Sequence, residues 1–153
     1  GMEAYGVPDP EDVDRWDEAG KGAVVPTLQD GLIAPDVLAV CKFMMYCGLT
    51  IDHYAAMLSG ATGWDIDGEE LLEVGERVSN LQRMFNVREG FTREDDAIPE
   101  RMKSLPAFGR YADQERCVIT DYEGMLDEYY EARGWDVETG KPTEAKLREL
   151  ALD

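Results

Sequence analysis

The sequence predicts an all-α domain of about six helices with a long irregular loop near residues 91–119. Three observations carry this. Apolar residues recur at steps of three and four in several segments, no stretch alternates with period two for long enough to make a sheet, and capping residues and glycines punctuate the helical segments. At 153 residues and 44% hydrophobic, the chain is long enough to bury a core, and its length favours one domain. The expected organisation is an irregular lead-in over residues 1–10, in which Gly1 reads as a protease scar, followed by a single helical domain over 11–153.

The elements follow in order. Residues 11–23 read as a short acidic helix ending near Gly20 or Gly22. From Val24 to Met45 the apolar residues come at helical density, but Pro26 and Pro35 interrupt them, and Pro35 suits the first turn of a new helix. The expectation is helix, break, then helix from about Pro35 to Tyr46, stopped by Gly48. Thr50 suits the N-cap of a helix through Tyr54, Met57, Leu58 and Ala61 that ends at Gly63-Trp64. Asp67 with Glu70 forms a capping box for a long helix whose stripe of Leu71, Val74, Val78, Leu81 and Phe85 reads as core, and Gly90 ends it. Between Phe91 and Ile119 periodicity gives way to charges and prolines, with at most a helical turn at Pro99–Lys103. Thr120 with Glu123 opens a helix carrying Met125, Leu126, Tyr129 and Tyr130, which Gly134 stops, and Thr143 opens a last short helix through Leu147 and Leu150. The Tyr129-Tyr130 pair reads as core packing.

Composition narrows the function classes. With 33 Asp+Glu against 15 Lys+Arg, a net charge of -18 repels phosphate backbones and anionic lipid, so nucleic acid is excluded as a partner. No run of about 18 apolar residues could span a membrane and no export signal is visible, which points to the cytoplasm. Cys41, Cys47 and Cys117 make an odd count without a Cys-x-x-Cys, so they read as reduced thiols, and His53 alone leaves too few nitrogen ligands for a zinc site. Any metal role is shared with residues outside this chain.

One segment carries chemistry: Asp36-Val37-Leu38-Ala39-Val40-Cys41-Lys42-Phe43 sets a carboxylate five residues before a thiol. Taken by themselves, Asp36 is a first-turn carboxylate favouring a helix dipole and Cys41 is buried filler. The segment resembles the late Asp-x-x-Gly-Leu-Cys motif, usually followed by Lys-Phe, of the tungsten-containing aldehyde:ferredoxin oxidoreductases. Gly48-Leu49-Thr50, Gly63-Trp64-Asp65, Glu69-Glu70-Leu71-Leu72, Gly75-Glu76-Arg77-Val78, Asn80-Leu81 and Phe85 through Phe91 are similar to the same family in the same order. Asp95-Asp96, Pro99-Glu100-Arg101, Met125 through Tyr130 and Arg133-Gly134-Trp135 extend the resemblance over roughly Leu28 to Leu152.

The resemblance implies a C-terminal domain of such an enzyme, which oxidises an aldehyde to a carboxylic acid at a tungsten bis-molybdopterin and passes electrons through a [4Fe-4S] cluster to ferredoxin. It implies that Asp36 binds a pterin, that Val40 presents main-chain groups to it, and that Cys41 is one cluster ligand. The helix from Pro35 would then set the separation of pterin contact and cluster ligand. The other three cluster cysteines belong to an earlier segment of the family that this chain lacks, so the partners are the remaining domains of a parent enzyme and ferredoxin. The isolated chain is expected to hold neither cofactor and to be inactive. The sequence departs from the family at Ala39, where glycine is usual, and at Val40, where leucine is usual, and an added methyl close to a cofactor weakens the approach. A competing reading is a non-catalytic acidic helical interaction module whose contact surface is the apolar face of the Pro35–Tyr46 segment.

Overall fold

The structure is a computed structural model and describes Asp14 and residues 16–153. The lead-in over residues 1–10 lies outside the described residues, as does much of the acidic segment after it; its described remainder, from Trp16 to Gly20, is turn and coil. Among the described residues there are five α-helices, four short 3₁₀ turns and no strand, only an isolated bridge between Trp135 and Pro142. The all-α expectation holds.

The first helix, α1, runs from Lys21 to Val37 and passes through both prolines. The expected break is therefore absent, and the helix ends where a second one was expected to begin. The residue four before each proline, Gly22 and Gly31, explains how this is tolerated. A proline ring clashes with the carbonyl of residue i−4, and a glycine there has the backbone freedom to tilt that carbonyl away. Tertiary burial offsets the lost hydrogen bonds, because Gly22, Pro26, Gly31, Ala34 and Pro35 are all buried.

Helix α2 (Ile51–Thr62) starts at the expected Thr50 and ends on left-handed Gly63. His53 closes its capping box, accepting from the Thr50 N–H at 3.1 Å through Nδ1, which accounts for the only histidine. Helix α3 (Gly68–Arg88) carries the predicted Asp67/Glu70 capping box, and α4 (Tyr122–Arg133) stops on left-handed Gly134. Its N-cap is Asp121, which accepts from the Gly124 N–H; Thr120 instead gives its N–H and hydroxyl to Glu18. Thr143 caps α5 (Glu144–Glu149) as predicted.

Helix α1 packs between α3 and α4. Its closest approaches use glycine: a Cβ at Gly75 of α3 would lie 2.3 Å from the Asp30 carbonyl oxygen, and one at Gly22 would lie 2.0 Å from that of Met125. One apolar core gathers Ala34, Met45, Ile51, Tyr54, Ala55 and Leu71, and a second gathers Leu126, Tyr130 and Trp135. The predicted stripe on α3 is corrected here. Its buried residues are Gly68, Leu71, Gly75, Asn80 and Arg83, while Leu81 and Phe85 are exposed.

Most of the donors and acceptors on that polar face and around it are paired. Arg133 is completely buried and grips Asp30 at 2.7 and 2.9 Å through Nη1, with Nη2 on the Pro26 carbonyl and Gln29. Trp135 Nε1 donates to Asn80 at 2.8 Å. Arg83 clamps Asp96 with two bonds of 2.7 and 2.9 Å and donates to the Gly140 carbonyl, while Tyr130 donates to Asp96 and Tyr122 to its carbonyl. These bonds tie the start of the 91–119 loop to the second core. The loop is irregular, with 3₁₀ turns at Arg93–Asp96, Glu100–Lys103 and Glu115–Cys117, the second where a helical turn was expected.

Candidate cofactor-facing site

Asp36, Val40 and Cys41 fall at the end of α1, not on one helix. Asp36 sits in the last turn, and the chain then leaves the helix through a Schellman motif: the Val40 N–H donates to the Pro35 carbonyl at 3.0 Å and the Ala39 N–H to the Asp36 carbonyl at 3.1 Å. The residue between these bonds must be left-handed, and Ala39 has φ 56. This is the position where the family pattern has glycine, so the departure acts first on the backbone of the turn. Cys41 follows in extended conformation as N-cap of a 3₁₀ helix, Lys42–Cys47.

The turn, rather than a helix, thus sets the spacing between Asp36 and Cys41. Buried Ala34 and Pro35 anchor one side of it and Met45 the other, while Asp36, Ala39, Val40 and Cys41 are exposed. Neither local reading of the two residues survives. Asp36 lies at the C-terminal end of its helix, where a carboxylate opposes the dipole, and the Cys41 thiol is at the surface rather than in the core. The N–H of Val40 is consumed by the Schellman bond, which leaves its carbonyl as the main-chain group without a hydrogen-bond partner among the described residues.

Lys42 is the residue that sequence reasoning passed over. Its Nζ meets Asp36 Oδ2 at 2.7 Å across the turn, offsetting the unfavourable dipole and leaving Oδ1 without a protein partner among the described residues. The signal was present, since a basic residue just past an acid-ended helix is placed to reach back over the turn. Phe43 and Tyr46, 72% and 74% exposed, stand beside these groups.

No other part of the described structure competes for chemistry. A cleft of about 480 Å³ is lined by residues of α1 and α4 with Arg83, Asp96 and Trp135, away from Asp36 and Cys41. Arg83, Asp96 and Tyr122 in it are already paired with one another, and much of the rest of its lining is apolar. Among the described residues, no three of the His, Cys, Asp and Glu side chains converge to hold a metal. Cys41 is therefore not joined by Cys47 and Cys117 in a ligand set.

The family profile described as aldehyde ferredoxin oxidoreductase, domains 2 & 3, matches residues 2–152. The chain belongs to the aldehyde ferredoxin oxidoreductase family. The tungsten-containing aldehyde ferredoxin oxidoreductases of Pyrococcus abyssi and Pyrococcus horikoshii are each 34% identical to it over 146 residues, 95% of this chain. That of Thermococcus kodakarensis is 32% identical over 145 residues. The chain spans about 23% of the length of the Pyrococcus relatives, so it corresponds to a domain of a larger aldehyde ferredoxin oxidoreductase. No helix among the described residues is long and apolar enough to cross a membrane.

Proposed function

We propose that this chain is the part of a tungsten-pterin aldehyde:ferredoxin oxidoreductase that supplies one pterin contact, Asp36, and one iron ligand, Cys41. The single observation that carries the reading is the turn itself. It holds a carboxylate at a helix C-terminus, where the dipole does not favour it, and a thiol at the surface, where it is accessible, two placements that local helix chemistry does not call for. The donor set fits the two groups. An ionised carboxylate with one free oxygen accepts a charge-assisted hydrogen bond from a pterin N–H, and an accessible thiol can ligate iron as thiolate.

Bound in the parent enzyme, tungsten bis-molybdopterin would supply oxidation of an aldehyde to a carboxylic acid, with electrons leaving through a [4Fe-4S] cluster to ferredoxin. The chain's own residues do the positioning. Lys42 holds Oδ2 of Asp36 so that Oδ1 faces a single acceptor task, Val40 offers its carbonyl, and the Schellman turn fixes their distance from Cys41. The remaining three cysteines come from the other domains. The exposed apolar side chains of Val37, Val40, Phe43, Met44 and Tyr46 form the contact with those domains. In this reading residues 11–153 are one helical domain without catalysis of its own, working in the cytoplasm.

The experiment is metal analysis of the full-length parent with Asp36→Ala and Cys41→Ala. Iron should fall in the cysteine variant and tungsten in the aspartate variant, with helical circular dichroism retained. Full iron and tungsten in both variants would leave only the non-catalytic interaction module. The isolated chain should purify without iron or tungsten and oxidise no aldehyde; stoichiometric iron in it would contradict the half-site assignment.

A further inference from the structure

The stripe Leu71, Val74, Val78, Leu81 and Phe85 steps by three and four residues in turn, the narrow seam of a helix that packs lengthwise on another helix. Only its first part finds cover in this chain. Leu71 is buried in the first core, Val74 and Val78 are half-buried, and Leu81 and Phe85 stand 53% and 56% exposed. Met84 flanks the open end, and the Arg88 guanidinium lies 4.9 Å over the Phe85 ring. Helix α3 meets α1 through Gly75, and it meets Trp135 and Asp96 through Asn80 and Arg83. None of these lies on the open end of the stripe, which leaves Leu81 and Phe85 uncovered among the described residues.

We infer that the second half of α3 is a docking seam for an α-helix in the remaining domains of the parent enzyme, with Leu81 and Phe85 as its anchors. The inference rests on the reading of this chain as one domain of that parent whose Asp36–Cys41 turn faces the others. Two observations name the occupant. The chain spans about 23% of the length of its Pyrococcus relatives, so most of the polypeptide that could supply the helix lies outside it. The seam also adjoins the turn: Gln82 and Asn86, each next in sequence to an anchor, share a cleft of about 310 Å³ with Lys42, which holds Asp36. An apolar ridge that runs toward the exposed Val40, Phe43 and Tyr46 marks an interaction site. A helix suits it because Leu81, Met84, Phe85 and Arg88 stand at i, i+3, i+4 and i+7, one row of side chains that seats in the groove of a facing helix. Docking there would seat the domain beside the turn that presents the carboxylate and the thiol.

The test is hydroxyl-radical footprinting of the full-length parent and of this chain alone, read by mass spectrometry at Leu81, Phe85, Phe43 and Tyr46. Leu81 and Phe85 should be oxidised several-fold less in the parent. Equal oxidation of these two, with Phe43 and Tyr46 protected in the parent, would overturn this inference alone. Equal oxidation at all four would overturn the inter-domain reading of the turn as well. Protection of Leu81 and Phe85 that is lost on dilution of the parent to monomers would give the seam to a second copy, which also overturns the inference. A photo-crosslinker at position 81 or 85 of the parent should capture residues three or four apart in its sequence; captured residues two apart would mean a strand and overturn the helix. Phe85→Glu should leave the melting temperature of this chain unchanged and lower that of the parent. A fall in this chain would show that Phe85 packs within the domain, an unchanged parent that nothing packs on it, and either result overturns the inference.

Discussion

Replacing Ala39 with glycine should stabilise this chain, the reverse of what an alanine-to-glycine change does in a helix. Ala39 is exposed and left-handed at φ 56, held there by the two Schellman hydrogen bonds that end α1. An L-residue in that region is roughly 1–2 kcal/mol less favourable than in right-handed backbone. Glycine removes this strain but brings about 0.4–1 kcal/mol of extra chain entropy to the unfolded state. The exposed methyl contributes little burial, so the balance is about 0.5–1 kcal/mol in favour of glycine. For a domain of this size that corresponds to a rise of about 1–4 °C in Tm. The assay is thermal and urea unfolding of the two chains side by side, with matching slopes in urea to confirm that the difference is one of stability. Were Ala39 inside a helix running from Pro35 to Tyr46, glycine would cost about 1 kcal/mol instead. A fall in Tm would therefore refute the Schellman assignment and the placing of Asp36 and Cys41 on either side of it.

Two further outcomes follow from the core. Arg133→Met should lower stability by about 3–5 kcal/mol in urea unfolding, because it leaves Asp30 buried without its partner, and Asp30→Leu in the same chain should recover much of the loss; a loss under about 1 kcal/mol would deny the pair its structural role. Burial pushes the phenols of Tyr54, Tyr122 and Tyr130 above the ordinary value near 10, with the Asp96 contacts adding to the rise at Tyr122 and Tyr130. A raised folded pKa favours the neutral phenol, so this stability is fully present below about pH 10 and is lost as pH rises through the folded values. Absorbance at 295 nm should show these phenols ionising together with loss of helical circular dichroism, and complete ionisation near pH 10 with the fold intact would refute it.

The family and the all-α class were legible because they reside in order and in local chemistry. The capping box at Asp67/Glu70, the caps Thr50 and Thr143, and the stops Gly63, Gly90 and Gly134 each act within four residues of the helix end, and all are found in place. What failed was the use of proline as a breaker. Pro26 and Pro35 do interrupt hydrogen bonding locally, but α1 is sandwiched between α3 and α4, and burial of its length outweighs the two missing bonds. The stripe on α3 failed for a related reason. Leu81 and Phe85 continue the apolar period, yet the buried face of α3 carries Asn80 and Arg83, whose partners Trp135, Asp96 and Gly140 lie outside the helix and further along the chain.

The sequence by itself determined the all-α class, the family and most of the helix ends, and it singled out Asp36 and Cys41 as candidates, because ordered motifs survive without coordinates. Only the tertiary structure decided how those two are presented. Burial of Ala34, Pro35 and Met45 carries α1 through its prolines and forces the chain to turn at Ala39, which puts the carboxylate against the helix dipole, brings Lys42 to it, and exposes the thiol. That the buried Tyr54 hydroxyl lacks a hydrogen-bond partner among the described residues is likewise invisible in a sequence, since a tyrosine in a helix reads as packing until its neighbours are placed.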